Sequence, residues 1–371
     1  MSDVSRVNLS TRHNHAHPEN GTAPGFLRTG EIAAQRGAVS GLAISPNGGL
    51  LMVTHYGDDS FSVIDTNSGA VAQTVIDVDE PFAVAMTDES AGRAYISSAS
   101  ATYDSVLAFD ISANRVVETY PLAYGVSDVA VSPNGRHVYV GRTGADGADI
   151  AILDTATGDE QAIAVAEAGT VTERLRLSAD GRRLYVAANG ASTAELVVVD
   201  TQRNRVLSTI ELGSPIRDIA LSPDGATVYV GSCGPDFGTV LDVVDVRDAR
   251  KCSVAATYKI GDVAGVVSSL TLSRDGSRAY LVGDTSVTVL STRTHDVIGS
   301  IATGAQPSCV IESPAGNRLY IADYAGTITV LAVDAAATPA TALTSDDDDA
   351  PTTPHPWAAF ADLLALEPTP A

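Results

Sequence analysis

Between residues 37 and 334 the chain is a succession of short apolar runs separated by Asn, Asp, Gly and Pro. Four kinds of run recur in a fixed order: one such as DIALS before a Ser-Pro-x-Gly turn, one such as TVYVG after it, a third such as LVVVD, and a fourth such as RVLSTIELG. Each has the length of a β-strand and alternates apolar with polar positions, with turn-forming residues on either side. That pattern predicts strands throughout and excludes a solenoid of helices.

The segment AVSPNGRHVYVGRTG, residues 130–144, returns as ALSPDGATVYVGSCG at residues 220–234. The turn glycine, or its equivalent, stands at Gly48, Gly92, Gly135, Gly181, Gly225, Gly276 and Gly316, with spacings from 40 to 51 residues. Seven copies of four strands each are the arithmetic of a propeller, in which four-stranded antiparallel sheets pack face to face around a central axis. An all-β, seven-bladed β-propeller is therefore expected. Ser-Pro-x-Gly is then a structural hairpin between the first and second strands of a blade, with Pro presetting the turn and Gly supplying the positive φ. Tyr95, Tyr139, Tyr185, Tyr229, Tyr280 and Tyr320 recur in the second strand, where a large ring fills the wedge between blades; Met52 takes the place in the first blade. Asp65, Asp110, Asp154, Asp200 and Asp245 end the third strand and can accept N–H bonds from the turn that follows, whereas Ser291 and Ala332 stand there in blades 6 and 7.

The ring needs closing. After Val333 the chain runs into DAAATPATALTSDDDD, which cannot supply a fourth strand to the last blade, while GFLRTGEIA before the first blade has no other evident role. Residues 25–33 are thus expected as the outermost strand of blade 7, removing an open edge. The resulting division is a His-containing leader at 1–24, the propeller at 25–334, an acidic linker at 335–354 and a short amphipathic helical tail at 355–371.

Composition narrows the class. The 371 residues are 44% hydrophobic but 5% aromatic, which suits a core of small β-branched side chains. Lys and Arg number 23 against 45 acidic residues, and the net charge of −22 disfavours nucleic acid and anionic lipid as partners. The N-terminus lacks the apolar run of a signal peptide and no segment approaches a membrane span, so a cytoplasmic protein without direct membrane insertion is expected. Cys233, Cys252 and Cys309 form neither a disulfide framework nor a C-x-x-C pair, in keeping with a reducing compartment.

The repeats VAVSPNGRHVYV, IALSPDGATVYV and LTLSRDGSRAYLV, with third-strand pieces such as SVIDTNSG and AILDTATG, resemble those of the YVTN-type, YncE-like seven-bladed β-propellers. The resemblance covers residues 37–334. It implies the fold, and it assigns no chemistry, because such propellers serve in binding proteins, surface-layer proteins and some enzymes. The alanine-rich, acidic composition is similar to that of actinobacterial proteins. Some mycobacterial cytoplasmic propellers of this kind look like accessory factors of the inner-membrane machinery that exports trehalose monomycolate, and the resemblance implies a similar role.

Candidate sites follow from where the repeats differ. The connections from second to third strand are variable (55–60, 98–105, 142–149, 232–239 and 322–327), while the opposite face carries uniform short turns, so the variable rim is the expected recognition surface. His55, Tyr56, Tyr103, Tyr124, Phe237 and Tyr324 lie on or beside it among Asp58, Asp59, Asp104, Asp236 and Asp323. Aromatic anchors in an acidic surround suit a basic protein partner, and a membrane-associated one fits as well. Near the axis, Phe82, Asp128, Glu173, Arg174, Arg217 and Asp218 mark a channel mouth. His13, His15 and His17 form the cluster HNHAH, yet nothing in that polar leader fixes their geometry, so no metal and no cofactor are expected. In the tail, Trp357, Phe360, Leu363 and Leu364 fall on one stripe of a short helix that suits a protein contact. No hydrolase or phosphate-binding motif is present. The expected function is a monomeric, non-enzymatic protein-interaction scaffold. The alternative is a lactonase-like hydrolase or a small-ligand propeller, in which Glu173, Arg174 and Arg217 would supply acid-base and anion-binding groups.

Overall fold

The period-two alternation resolves into strands because β-branched side chains pack on pleated surfaces and Asx, Gly and Pro break them at each turn. The computed structural model describes residues 23–334 apart from 88–91, 123–124, 235–237, 262 and 264. Among the described residues there are seven antiparallel sheets of four strands. Strand β1 (Phe26–Ala33) precedes blade 1, formed by β2 to β5 (residues 41–76); blade 2 is β6 to β9 (81–122), blade 3 β10 to β13 (126–166) and blade 4 β14 to β17 (171–212). Blade 5 is β18 to β21 (216–260), blade 6 β22 to β25 (269–302), and blade 7 combines β26 to β28 (307–333) with β1. The first strands touch one another in order around the axis, and β26 returns to β2. The fold is a seven-bladed β-propeller. No helix among the described residues is long and apolar enough to cross a membrane.

The repeated turn works through one set of atoms. Ser45 Oγ accepts the Leu50 N–H and donates to Asn47 Oδ1, which in turn accepts the Gly49 N–H. Ser132 with Asn134 and Ser222 with Asp224 repeat the arrangement. The seven turn glycines hold φ between 56° and 73°, a left-handed conformation in which a Cβ would be strained. Thr66, Thr155, Thr201 and Thr292, which follow the third strands of blades 1, 3, 4 and 6, donate to the carbonyls of Gly48, Gly135, Gly181 and Gly276 and tie two turns together in those blades. The third-strand aspartates cap the next turn: Asp65 accepts from Asn67 and Ser68, Asp110 from Ala113, and Asp154 from Ala156 and Thr157. Those N–H donors hold all three carboxyls below the ordinary range, and Asp245, held first by the Arg247 side chain, is lowered to about 2.

Between blades the core is mainly aliphatic, with a second-strand tyrosine buried in six of the wedges and Met52, beside Phe61 and Phe109, in the one between blades 1 and 2. Tyr185, for example, packs with Ile210, Ile219, Val230 and Val244 where blade 4 meets blade 5. Arginines at the start of second strands reach the carbonyl just past the third strand of the next blade: Arg183 to Val246 at 2.9 Å, Arg278 to Asp334 at 3.1 Å and Arg318 to Thr66 at 2.8 Å.

The segment before blade 1 occupies the outer edge of blade 7. Strand β1 pairs antiparallel with β28 (Thr327–Val333) from Phe26 opposite Val333 to Ala33 opposite Thr327, with a bulge between Arg28 and Gly30. Phe26 meets Tyr280 edge-on, with ring centroids 6.0 Å apart, beneath the Arg278 guanidinium; Ile32 joins the core between blades 7 and 1. One expected loop is absent: residues 142–149 continue the ladder of β11 (His137–Gly144) and β12 (Gly147–Asp154), leaving a two-residue hairpin. Arg142 bonds both Asp149 and Glu160 across this ladder, so cross-strand charge pairing extends the sheet where sequence variability predicted a loop. The expected leader lies outside the described residues up to position 22, and the linker at 335–354 and the tail at 355–371 lie outside them entirely, including His13, His15, His17, Trp357, Phe360, Leu363 and Leu364.

Two outcomes follow from this architecture. Deleting residues 1–35 removes the buried Phe26 and Ile32 and uncovers the edge of β28, and the thermal midpoint is expected to fall by on the order of 10 °C in a melting scan; an unchanged midpoint overturns the closure. The turn aspartates have folded pKa values below their unfolded ones, so their stabilisation is complete above roughly pH 4 and is lost as pH falls toward 2. Unfolding midpoints in urea should decline across that window, and less steeply when Asp65, Asp110 and Asp154 are replaced by Asn.

Candidate functional site

The connections from second to third strand differ in chemistry from blade to blade. In blade 1 a short 3-10 turn, Tyr56–Asp58, leaves Tyr56 45% exposed, and its hydroxyl donates to Glu80 at 2.8 Å. That bond to a carboxylate raises the phenol's pKa. In blade 2, Ser100 Oγ accepts the N–H groups of Thr102 and Tyr103 and donates to the Tyr103 carbonyl, presenting a Tyr103 ring that is 50% exposed. In blade 7, Tyr324 is 49% exposed on a turn anchored by its N–H to the Gln306 carbonyl. Asp58 is half-buried and pairs with Arg36 at 3.1 Å, and Asp59 is exposed and accepts the Glu80 N–H. Blades 7, 1 and 2 are consecutive around the ring, so the three tyrosines occupy one sector of one rim.

Three expected rim residues are interior. His55 is fully buried, with Nδ1 3.3 Å from the Gly37 carbonyl and Nε2 3.1 Å from Ser62 Oγ, and burial lowers its pKa. Asp104 accepts the Gly125 and Val126 N–H groups, and Asp323 accepts those of Ala325 and Thr327. Asp104 and Asp323 each satisfy amides where a loop runs into the next strand, so each is a structural cap and not a contact surface. Tyr124, Asp236 and Phe237 lie outside the described residues.

The central cavity, of about 300 Å³, is lined by Phe82, Asp128, Arg174 and Asp218 as expected, together with Arg176 and serines from several blades. Glu173 and Arg217 do not line it. The inner strands of blades 3, 4 and 5 carry a bulge at their start, between Val126 and Asp128, Thr172 and Arg174, and Ile216 and Asp218. The extra, unpaired residues are Ser127, Glu173 and Arg217, and of these the short Ser127 side chain lines the cavity while Glu173 and Arg217 do not. Glu173 instead accepts a bond from Asn189, and Arg217 is exposed.

Asp128 and Asp218 are buried and act as staples. Asp128 Oδ1 accepts the Val129 N–H, while Oδ2 accepts the Leu175 N–H of blade 4 at 2.9 Å. Asp218 does the same with Ile219 and, across to blade 6, with Leu270 at 2.8 Å. Arg176 then bridges the two carboxylates, Nη1 to Asp128 at 3.1 Å and Nη2 to Asp218 at 2.7 Å. Sequence reasoning missed Arg176, although the signal was there: it stands where the neighbouring repeats have Ala130 and Ala220. Among the described residues no group of three or more His, Cys, Asp or Glu side chains is placed to hold a metal ion.

Fold and channel together define a seven-bladed propeller of the protein-repeat type, with a polar axial cavity and one variable rim. No family model matches the sequence. Over 345 residues the chain is 47% identical to the seven-bladed beta-propeller protein Rv1057 of Mycobacterium tuberculosis, covering 85% of this chain and 86% of that protein. The chain belongs to the seven-bladed β-propeller family of that protein. A chain of Kuenenia stuttgartiensis hydrazine synthase superposes with a TM-score of 0.71 over 87% of this chain and 99% of its own; at 18% identity this likeness concerns the fold alone.

Asp218→Ala removes the acceptor for two amides and half of the Arg176 bridge. It is expected to cost about 2–4 kcal/mol in urea denaturation, the effect of leaving two buried amides without an acceptor. The exposed Arg217→Ala should stay within about 0.5 kcal/mol of wild type; equal effects at the two positions would contradict the stapling role.

Proposed function

We propose that the protein is a non-enzymatic interaction scaffold that binds a basic protein partner through the rim sector of blades 7, 1 and 2. The observation that carries this reading is the grouping of half-exposed Tyr56, Tyr103 and Tyr324 on consecutive blades, with Asp58, Asp59 and Glu80 beside Tyr56. Tyrosine supplies contact area and a hydroxyl with little conformational entropy to lose, and the acids steer a cationic surface toward it. A net charge of −22 favours the same partner chemistry.

The finer form of the proposal places the chain among the YVTN-type, YncE-like propellers of actinobacteria. There it acts in the cytoplasm as an accessory factor of the inner-membrane machinery that exports trehalose monomycolate, recruited to the membrane by its protein partner. Support comes from the repeat resemblance and from the Mycobacterium tuberculosis relative. A lactonase-like reading is less well supported, because Glu173 is engaged by Asn189 and Arg217 is exposed, so the two do not meet Arg174 across the cavity.

The test compares wild type with a Tyr56→Ala, Tyr103→Ala, Tyr324→Ala variant as bait in actinobacterial lysate, with quantitative mass spectrometry. Partners retained by wild type should fall by roughly tenfold or more with the variant, and charge reversal of Asp58 and Asp59 should weaken capture most at low salt. Retention of every partner by the folded triple variant overturns the rim assignment.

A further inference from the structure

Of the charged groups lining the central cavity, Asp128, Asp218 and Arg176 bond one another and backbone amides, and Arg174 stands apart. Among the described residues its guanidinium makes one hydrogen bond, from Nη1 to the Glu173 carbonyl at 2.9 Å, while its Nε is 3.7 Å from Asp218, too far to donate. A guanidinium offers five N–H groups in a planar fork whose geometry matches a carboxylate. Most of that fork is unused by the protein, and it is held within the channel, not at the outer surface.

The rest of the wall narrows the ligand. Ser40, Ser127, Ser268 and Ser308 stand in the wall from four blades; the first three donate to the Pro81, Gly141 and Val282 carbonyls, which leaves their oxygens to accept from a ligand's hydroxyls, and Phe82 contributes an apolar face. The volume, about 300 Å³, is at the small end of the range of small-molecule sites. Arg174 and Arg176 balance Asp128 and Asp218, so the lining is neutral. A bound carboxylate leaves the lining with one negative charge in excess, which the unused N–H groups of the Arg174 fork can hold, whereas a second would stand unpaired beside two buried carboxylates in a low-dielectric space. We propose that the channel binds a small hydroxylated monocarboxylate, of sugar-acid size, with its carboxylate on the Arg174 fork and its hydroxyls against the serines. This site is independent of the rim sector and of any partner bound there.

Isothermal titration of the full chain at neutral pH tests it, with gluconate as the monocarboxylate, glucose as a neutral counterpart and inorganic phosphate as the competing oxyanion. Gluconate is expected to bind saturably with one-to-one stoichiometry, more tightly than glucose or phosphate. Arg174→Gln should weaken it by roughly ten- to a hundredfold, the loss that follows removal of a charge-assisted pair, while Arg217→Gln leaves it unchanged. Arg174→Lys keeps the charge that faces Asp218 and loses the fork; it should weaken binding by a smaller factor and keeps the test open if Arg174→Gln fails to fold. No saturable gluconate binding, equal binding of glucose, or wild-type affinity in both Arg174 variants overturns the site. Phosphate binding tighter than gluconate overturns the monocarboxylate assignment.

Discussion

A four-stranded blade has an apolar face on each side, and only another blade can cover it, so the ring is stable only when it has no first and no last member. The pairing of β1 with β28 imposes that condition. Because β1 continues directly into blade 1, blade 7 holds both ends of the ring, and opening the joint would expose the Ile32 and Tyr320 core and the edge of β28 together. The joint is otherwise built like its neighbours: Arg318 reaches the Thr66 carbonyl of blade 1 as Arg183 reaches Val246, and Pro314 packs on Gly48 as Pro133 packs on Gly181. The strand exchange is what differs, and the repeated contacts then act around a closed circle.

Closure has a consequence at the axis. Inner strands that converge on a narrow channel cannot keep a regular ladder to their ends, and bulges in several blades relieve the crowding. Asp128 and Asp218 cross to accept the Leu175 and Leu270 amides of the next blade, converting a packing necessity into inter-blade bonds. Blade 4 has Arg174 where blades 3 and 5 have these aspartates. Its charge is tolerated because Asp218 and Asp128 lie close by, yet their oxygens are already committed to amides and to Arg176. The cation is compensated but not saturated, which is the physical condition for a ligand site.

Blade number, the Ser-Pro-x-Gly turns, the buried tyrosines and the capping aspartates were legible in the sequence because each depends on residues within a few positions of one another. Tyr56, Tyr103 and Tyr324 were legible as rim residues for the same reason. His55, Asp104 and Asp323 were misplaced because alternation tells which residues flank a loop and not whose amides they must satisfy; Asp104 answers to Gly125 and Val126, on the far side of a whole hairpin. Glu173 and Arg217 were misplaced because each is the extra residue of a one-residue bulge, and alternation along the sequence does not show where a bulge falls. Arg176 was visible only as a departure from alanine in the repeat, a signal that acquires meaning once Asp128 and Asp218 are known to flank it.

The two ends of the propeller also differ in how much change they can absorb. On the Ser-Pro-x-Gly face, serine, Asx and threonine side chains bond the turn backbone in blade after blade, and the prolines press on the next turn, so a substitution there breaks local bonds and disturbs a neighbouring blade. On the opposite rim each connection has its own solution: a 3-10 turn at Tyr56, a serine-centred loop at Tyr103, a two-residue hairpin after Gly144 and an Asp323-capped turn at Tyr324. None of these borrows the repeated turn network, so their exposed side chains can change at little cost to the ring. The sequence is therefore free to diverge on the rim while the turn face stays constant. The channel lies between these regimes: its staples are bound to the fold, and Arg174, at the one staple position where the repeat substitutes a cation for a carboxylate, is the residue there that the fold uses least.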